Sequence, residues 1–219
     1  MSRFDIISKK ERWGTTRFGK LVILLILIFM SFIFIKTIHP FLAKNAPIKT
    51  DILVVEGFIT DYAVEECMTI FNAGNYSKLY ITGKKRMKGA QLDMYENDGE
   101  FTAATLEKLG FDCSKIVVVA VEEDILKDRT YISALALRNW MEQHNTLSDF
   151  NLVTLGPHAR RSQLLFSQAF DDLIEIGVIS VPNQSYDATR WWRSSSGFRE
   201  VNKEFVAWIY ARFFFYPSE

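Results

Sequence analysis

The sequence predicts an α/β protein with a Rossmann-like, doubly wound and mainly parallel sheet of five strands, preceded by one transmembrane helix. Two observations indicate the sheet: short apolar runs alternate with longer segments of helical periodicity, and most of these runs contain almost no polar residue. Strands that are apolar at nearly every position are typical of a parallel sheet covered on both faces. A third observation indicates the anchor, because no charged residue occurs between Leu21 and Ile35.

The five predicted strands are separated by segments that carry apolar residues at helical spacing. The first strand ends at Glu56 and Gly57, and the helix after it ends at Gly74, a residue type that commonly terminates helices. A strand, a helix and a second strand within about thirty residues predict a βαβ unit. The predicted strands cover residues 51–57, 79–82, 116–120, 150–154 and 174–181, and the predicted helices cover residues 61–73, 100–109, 130–144, 157–170 and 198–215.

The apolar segment predicts how the chain is organised at a membrane. Residues 1–19 form a basic tip, residues 20–38 an anchor, residues 39–50 a linker and residues 51–219 the α/β domain. Six basic residues precede the apolar run and three lie between it and Asp51, which predicts a cytoplasmic amino terminus and a periplasmic or other extracytoplasmic domain. A cleaved signal peptide is the alternative, although no small-x-small cleavage site follows the run. The reversed orientation also stays open.

Charge and composition argue against several classes of function. From Asp51 onwards the chain has 17 basic and 24 acidic residues, a net charge of −7, which argues against nucleic acid as a partner. The three histidines are scattered and no Cys/His cluster has zinc-ligand spacing, so no metal site is predicted. Cys67 and Cys113 favour two thiols over a disulfide, although the sequence cannot show whether they pair.

The corner at Gly156 and Pro157 is the strongest candidate for a functional site. A buried strand ends there and a helix begins, so the free backbone N–H groups and the helix dipole favour an anion. At about 100° per residue, His158 and Arg161 share one side of this helix, while Arg160 lies on the other side, where it could meet a neighbouring acid. Parallel strands would bring the other strand ends to the same rim, with Lys84 completing the charge.

Glu56 and His158 are the candidate catalytic residues, because Glu56 could serve as a base or bind a hydroxyl group. In the alternative interpretation, Glu56 pairs with Arg129 or Arg161 and only closes the end of the sheet. Trp191 and Trp192 could stack on a sugar ring or cover the edge of the sheet. The candidate ligand-binding residues are Gly57, Gly83, Lys84, Arg129, Thr130, Gly156, Arg160, Arg161, Trp192 and Arg193.

Two further charged groups and the last helix complete the candidates. The acidic residues Glu122, Glu123 and Asp124 follow the third predicted strand, and a cationic cluster of Lys84, Lys85, Arg86 and Lys88 follows the second. Such a cluster is usually solvated. The aromatic last helix is predicted to pack against the sheet, and contact with the membrane is the alternative.

Four motifs in this order resemble a known family. They are Val-Val-Glu-Gly, Ile-Thr-Gly-Lys, Asp-Arg-Thr-Tyr and Val-Thr-Leu-Gly-Pro-His-Ala-Arg-Arg-Ser-Gln-Leu-Leu-Phe. Together they resemble the DUF218 domain of the YdcF/SanA/ElyC family of bacterial envelope proteins, over residues 51–216. The segment Arg-Trp-Trp-Arg-Ser-Ser-Ser-Gly-Phe-Arg, from Arg190 to Arg199, also resembles a membrane-anchored subgroup of this family. The sequence departs from the family at Glu56-Gly57-Phe58, where many members have a Gly-rich turn. It departs again from Arg129 to Ser133, where many have Asn-Thr-x-Glu-Asn.

The resemblance implies a Rossmann-like sheet, a single amino-terminal anchor and a role in envelope integrity, peptidoglycan or polyprenyl-linked carbohydrate. We therefore expect a protein of the plasma membrane that binds an anionic, phosphate-containing envelope precursor or lipid-linked sugar, with lipid contacts through residues 20–38. Whether it also modifies that precursor is left open, and so are any cofactor, the reaction and the oligomeric state. The alternative function is a non-catalytic, membrane-anchored scaffold for envelope enzymes.

Overall fold

The computed structural model describes residues 15–86, 94–121 and 127–217. Most of the basic tip, Lys88 and the acidic group from Glu122 to Asp124 lie outside these residues. The helices are α1 (Arg17–Leu42), α2 (Asp61–Ala73), α3 (Asp98–Lys108), α4 (Arg129–Gln143), α5 (Ala159–Ala169) and α6 (Ser195–Phe213), and the strands are β1 (Ile52–Glu56), β2 (Lys78–Lys84), β3 (Ile116–Val121), β4 (Phe150–Leu155) and β5 (Ile176–Val181). Short 3₁₀ helices cover Cys113–Lys115, Gly156–His158 and Ala188–Arg193.

The chain divides into two compact units, Met1–Thr37 and Ile38–Glu219. The first contains most of α1, a helix of 26 residues with a mean hydropathy of 2.8 over its most apolar window. At 1.5 Å per residue the helix is about 39 Å long, enough to cross a hydrocarbon core of about 30 Å. This helix is consistent with the predicted single-pass anchor. It is longer than the predicted span of residues 20–38, because Pro40 is accommodated without ending it.

The second unit contains an all-parallel sheet with the order β3-β2-β1-β4-β5, which confirms the predicted fold class. All five residues of β1 are buried, as expected for a central strand covered on both faces. The chain runs outwards from β1 through β2 to β3 and then returns to β4 on the other side of β1. The order of the strands therefore reverses between β1 and β4, where α/β sheets commonly form a ligand crevice.

Helices cover both faces of the sheet. Leu53, Val55 and Ile81 pack with α2 and α3 on one face. On the other face, Val54 and Leu152 pack with α4 and α5. The last helix, α6, lies beside α5 and beside the 3₁₀ helix Ala188–Arg193. The Ser194 side chain caps the amino end of α6 by accepting a hydrogen bond from the Gly197 N–H. It begins three residues before the predicted start, because this cap fixes the first turn.

Residues of the predicted linker are packed into the second unit. The Leu42 side chain is fully buried, and Ala46 forms an antiparallel bridge with Val178. The Asn151 side chain hydrogen-bonds both the N–H and the carbonyl of Ile48. The chain is therefore bound to the sheet from the last turn of α1 onwards.

Both cysteines are free thiols in the structure. Cys67 is buried on α2, and burial raises the pKa of its thiol to about 12. Cys113 is exposed at the start of the 3₁₀ helix before β3. Only the exposed thiol is accessible to a reagent.

Candidate functional site

A cavity of about 660 Å³ lies at the carboxyl ends of β1 and β4, where the strand order reverses. The end of β2, the amino end of α4, the start of α5 and the inner face of α6 also contribute residues to its lining. Seven of the predicted site residues line it: Glu56, Gly83, Lys84, Arg129, Thr130, His158 and Arg161. The structure thus brings together most of the candidates that were drawn from separate strand ends.

The ends of β1 and β4 position Glu56 and His158 next to each other in this cavity. Glu56 is the last residue of β1 and is only 2% exposed. After β4, the chain turns through Gly156, whose φ of +41° is unfavourable for residues with a side chain. This turn leads into the 3₁₀ helix and brings His158 Nε2 to 3.6 Å from Glu56 Oε1. The predicted corner therefore exists, and its glycine is needed for the turn.

The imidazole of His158 lies between two buried carboxylates. Its Nδ1 is 3.0 Å from Glu204 Oε2, while Glu56 Oε2 accepts a hydrogen bond of 3.0 Å from the Ser162 hydroxyl. We call Glu56, His158 and Glu204 the buried acid–imidazole cluster. The His158 Nε2 has no hydrogen-bond partner among the described residues, because its separation from Glu56 exceeds hydrogen-bond length.

The cluster fixes the protonation of its members. Burial disfavours a charge on His158, and so does Arg161, whose Nη2 lies 2.8 Å from His158 Nδ1, but Glu56 and Glu204 outweigh both effects and raise the pKa of His158 to about 9. Burial likewise favours neutral carboxyl groups, but the protonated His158 outweighs it and lowers the pKa of both Glu56 and Glu204. At neutral pH His158 is therefore a cation, and Glu56 and Glu204 are both carboxylates. Glu204 is bound by Arg161 as well as by His158, which leaves Glu56 as the candidate proton acceptor.

Glu204 also binds Arg161. The Arg161 Nε donates to Glu204 Oε2 at 2.8 Å, and its Nη2 donates to Glu204 Oε1 at 3.3 Å. Such a two-pronged contact fixes both the position and the plane of the guanidinium group. The alternative in which Glu56 pairs with Arg129 or Arg161 is therefore not what the structure shows, because His158 and Ser162 are the side chains that contact Glu56.

The sequence interpretation missed Glu204. A signal for it exists, because Val201, Glu204 and Ala211 share the buried face of α6 and Glu204 is the acidic residue on that face. A carboxylate at a buried helical position normally needs a cation. The sequence does not show which cation, because His158 and Arg161 lie more than 40 residues earlier in the chain.

The outer part of the cavity carries further charges and apolar walls. Lys84 Nζ lies 3.6 Å from Asp98 Oδ2, so Lys84 is already paired in this structure. Arg129 begins α4 and is exposed at the cavity rim. The walls include aromatic and aliphatic side chains, namely Phe58, Tyr131, Leu155, Leu165, Tyr210 and Phe215. The cavity therefore combines a charged floor with a partly apolar wall.

Two predicted ligand-binding glycines are required by packing. A Cβ on Gly57 would lie 2.5 Å from the Thr82 carbonyl oxygen, and one on Gly83 would lie 2.3 Å from the Gly99 nitrogen. Both glycines therefore let the first turn of α3 approach the ends of β1 and β2. Gly83 also lines the cavity, whereas Gly57 and Gly156 do not contribute to its lining.

Arg160 and the tryptophan loop lie away from the cavity. Arg160 Nε donates to the carbonyl of Phe41, and its guanidinium group lies 3.9 Å from the centre of the Phe41 ring. The predicted partner was an acid, but the end of α1 occupies that side of α5. Trp191 is buried and stacks on Phe198, while Trp192 is half-buried and Arg193 is exposed. These three residues are absent from the cavity lining.

Among the described residues, no group of three or more His, Cys, Asp or Glu side chains could hold a metal ion. Comparisons with protein-family models, with curated proteins and with solved structures give no match. The resemblance to DUF218 domains therefore stands on the four sequence motifs alone.

Proposed function

We propose that this chain is a membrane-anchored protein whose α/β domain binds an anionic, phosphate-containing precursor of the bacterial cell envelope in the central cavity. The observation that carries the proposal is the position of His158, whose pKa is raised to about 9, and of Arg161 in a cavity at the strand-order reversal. Parallel α/β sheets commonly bind phosphate-bearing ligands at this place. The envelope as the site of action follows from the motif resemblance and from the apolar helix.

The charges around the cavity support an anionic ligand. Six basic and five acidic side chains line it, and two of the exposed cations, Lys127 and Arg129, lie at the amino end of α4. A phosphate group placed there would meet free backbone N–H groups as well as cations. The partly apolar wall beyond this end would accommodate the organic part of a phosphate ester.

The same geometry supports a chemical role for two residues. Glu56 is ionised and lies beside a protonated imidazole, so the pair can accept one proton and donate another. In our proposal Glu56 is the base and His158 is the proton donor or the cation that binds the ligand. Arg161, fixed by Glu204, positions the anionic group next to them.

A ligand-binding measurement tests the proposal. The full chain in lipid nanodiscs is heated with inorganic phosphate, a sugar phosphate, a nucleotide sugar or a short prenyl phosphate, with acetate as the control anion. At a hundred times its dissociation constant, a ligand stabilises the folded state by about 2.7 kcal/mol, which a thermal-shift assay detects. We expect stabilisation by at least one phosphate-bearing ligand and none by acetate.

Matched variants locate the binding. Arg129→Gln removes an exposed cation at the cavity rim, and Arg193→Gln removes an exposed cation outside the cavity. We expect Arg129→Gln to weaken the stabilisation and Arg193→Gln to leave it unchanged. If no phosphate-bearing ligand stabilises the chain, or if both variants respond like the wild type, the cavity is not an anion site. The non-catalytic scaffold would then be the favoured function.

A further inference from the structure

The carboxyl-terminal half of α6 presents an apolar stripe to solvent. Val206, Tyr210, Phe213 and Phe214 are each more than half exposed, and they follow one another at helical spacing. Soluble surfaces rarely keep large apolar side chains in a contiguous patch without a partner. We call these four residues the α6 apolar stripe.

Basic residues extend the same side of the helix. Arg199 and Lys203 lie seven and three residues before Val206 and are exposed, and the Lys203 Nζ also lies 3.4 Å from Glu204 Oε1. A helix with exposed aromatic residues beside cations is typical of a segment that lies in the headgroup region of a bilayer. The cations fit the anionic lipids and the aromatic rings fit the interface.

Phe41, which contacts α6, lies close in sequence to the end of the apolar first unit. Thr37 ends the apolar first unit, and Phe41 is only four residues later, so their Cα atoms can be at most about 14 Å apart. The Phe41 ring packs edge-on against Trp208 of α6, with 5.0 Å between the ring centres. Trp208 in turn contacts Phe213, whose ring centre is 6.3 Å away. Phe41, four residues after the end of the first unit, therefore contacts α6 through Trp208, which is next to Phe213 of the stripe.

We infer that the α6 apolar stripe docks on the lipid bilayer, so that the domain has a second membrane contact besides its anchor. The inference rests on the proposed anchoring of α1, but it does not depend on the proposed ligand. It names lipid as the occupant because Phe41, four residues after the end of the apolar first unit, packs against α6, and because Arg199 and Lys203 on the stripe's side of the helix match anionic headgroups.

A site-specific fluorescent label tests the docking. In the full chain with Cys113→Ser, the substitution Phe214→Cys carries an environment-sensitive dye, and Leu109→Cys carries the same dye on the opposite face of the sheet. Each protein is reconstituted into vesicles of phosphatidylglycerol and phosphatidylethanolamine that contain lipids with a quencher on the upper acyl chain. Amphipathic helices insert about 5–10 Å below the headgroup boundary, so these lipids report docking.

We expect strong quenching and a blue-shifted emission at residue 214 and neither change at residue 109. Equal signals at both positions, in protein that resists alkaline extraction from the vesicles, would overturn the docking while leaving the anchor intact. Loss of the protein on alkaline extraction would refute the anchor and the docking together. Phosphate-ester stabilisation, measured on the same labelled proteins, reports separately on the ligand site.

Discussion

The buried position of His158 makes the stability of the whole domain depend on pH. His158 is buried between Glu56 and Glu204, and its pKa is raised to about 9 from an ordinary value of 6.5. A raised pKa in the folded state means that protonation stabilises the fold. The contribution is therefore fully present below pH 6.5, decreases as the pH rises and is lost above about pH 9.

We predict that the free energy of unfolding falls by about 3 kcal/mol between pH 6.5 and pH 9, with His158 as the source. The substitution His158→Gln should remove most of this slope. It should also destabilise the protein at neutral pH, because two buried carboxylates lose their shared cation. Urea unfolding of the full chain in nanodiscs, monitored by fluorescence across this pH range, measures both effects.

His144→Gln is the matched control for this measurement, because His144 is exposed and stacks on Trp140 away from the cavity. It should keep the wild-type slope. An unchanged slope in His158→Gln would show that other groups determine the alkaline loss of stability. At the acid end, Glu56 and Glu204 act with the opposite sign, because their lowered pKa values add stability that is lost as the pH falls.

At the scale of elements, the site depends on how closely α3 approaches the sheet. Gly57 follows β1 and Gly83 is the residue before the last in β2, and both lie close to the backbone at Gly99 in the first turn of α3. The Thr102 hydroxyl also donates to the carbonyl of Gly57 at 2.8 Å. The amino end of α3 carries Asp98, which pairs with Lys84, so the packing of these glycines also positions a charge pair of the cavity.

We predict that Gly83→Ala destabilises the domain by about 1–3 kcal/mol, because the new methyl group would lie 2.3 Å from the Gly99 backbone, which cannot easily move. Gly74→Ala is the control: its methyl group would meet mainly the ring of Tyr76, a partly buried side chain that can shift more easily than backbone. The loss of unfolding free energy should be smaller there. If Gly74→Ala were as destabilising as Gly83→Ala in urea unfolding, close packing of α3 would not be the reason for the glycine.

At the scale of the whole molecule, the orientation of the anchor in the membrane determines on which side the second unit lies. The basic residues before the apolar helix favour a cytoplasmic amino terminus, which would place the second unit outside the plasma membrane. The cavity would then be available to ligands on the outer side, and the α6 apolar stripe would face the outer leaflet. The exposed thiol of Cys113 is a natural reporter of that orientation.

We predict that a membrane-impermeant maleimide labels Cys113 in intact spheroplasts of a bacterium that expresses the chain. Cys113→Ser should abolish the label, because Cys67 is buried. A second variant that combines Cys113→Ser with Ser8→Cys should react only after lysis, since residue 8 belongs to the basic tip. Labelling of Ser8→Cys but not of Cys113 in intact spheroplasts would establish the reversed orientation.

The sequence by itself determined the fold class, the apolar helix and seven of the residues that line the cavity. Continuous apolar strands between periodic helices are consistent only with a covered parallel sheet, and such a sheet brings its carboxyl ends to one edge. Glu56, Lys84, Arg129 and His158 could be predicted to converge for that reason. Local signals of this kind depend on residues that are near one another in the chain.

Only the tertiary structure decided which partner each of these residues has. Glu204 reaches His158 across 46 residues of sequence because α6 packs beside α5, and no local pattern fixes that packing. The same holds for Arg160, which contacts Phe41 from the end of α1 instead of an acid. Long-range contacts depend on how complete elements pack, and this packing also fixes the charge of His158, which its burial alone would have predicted to be neutral.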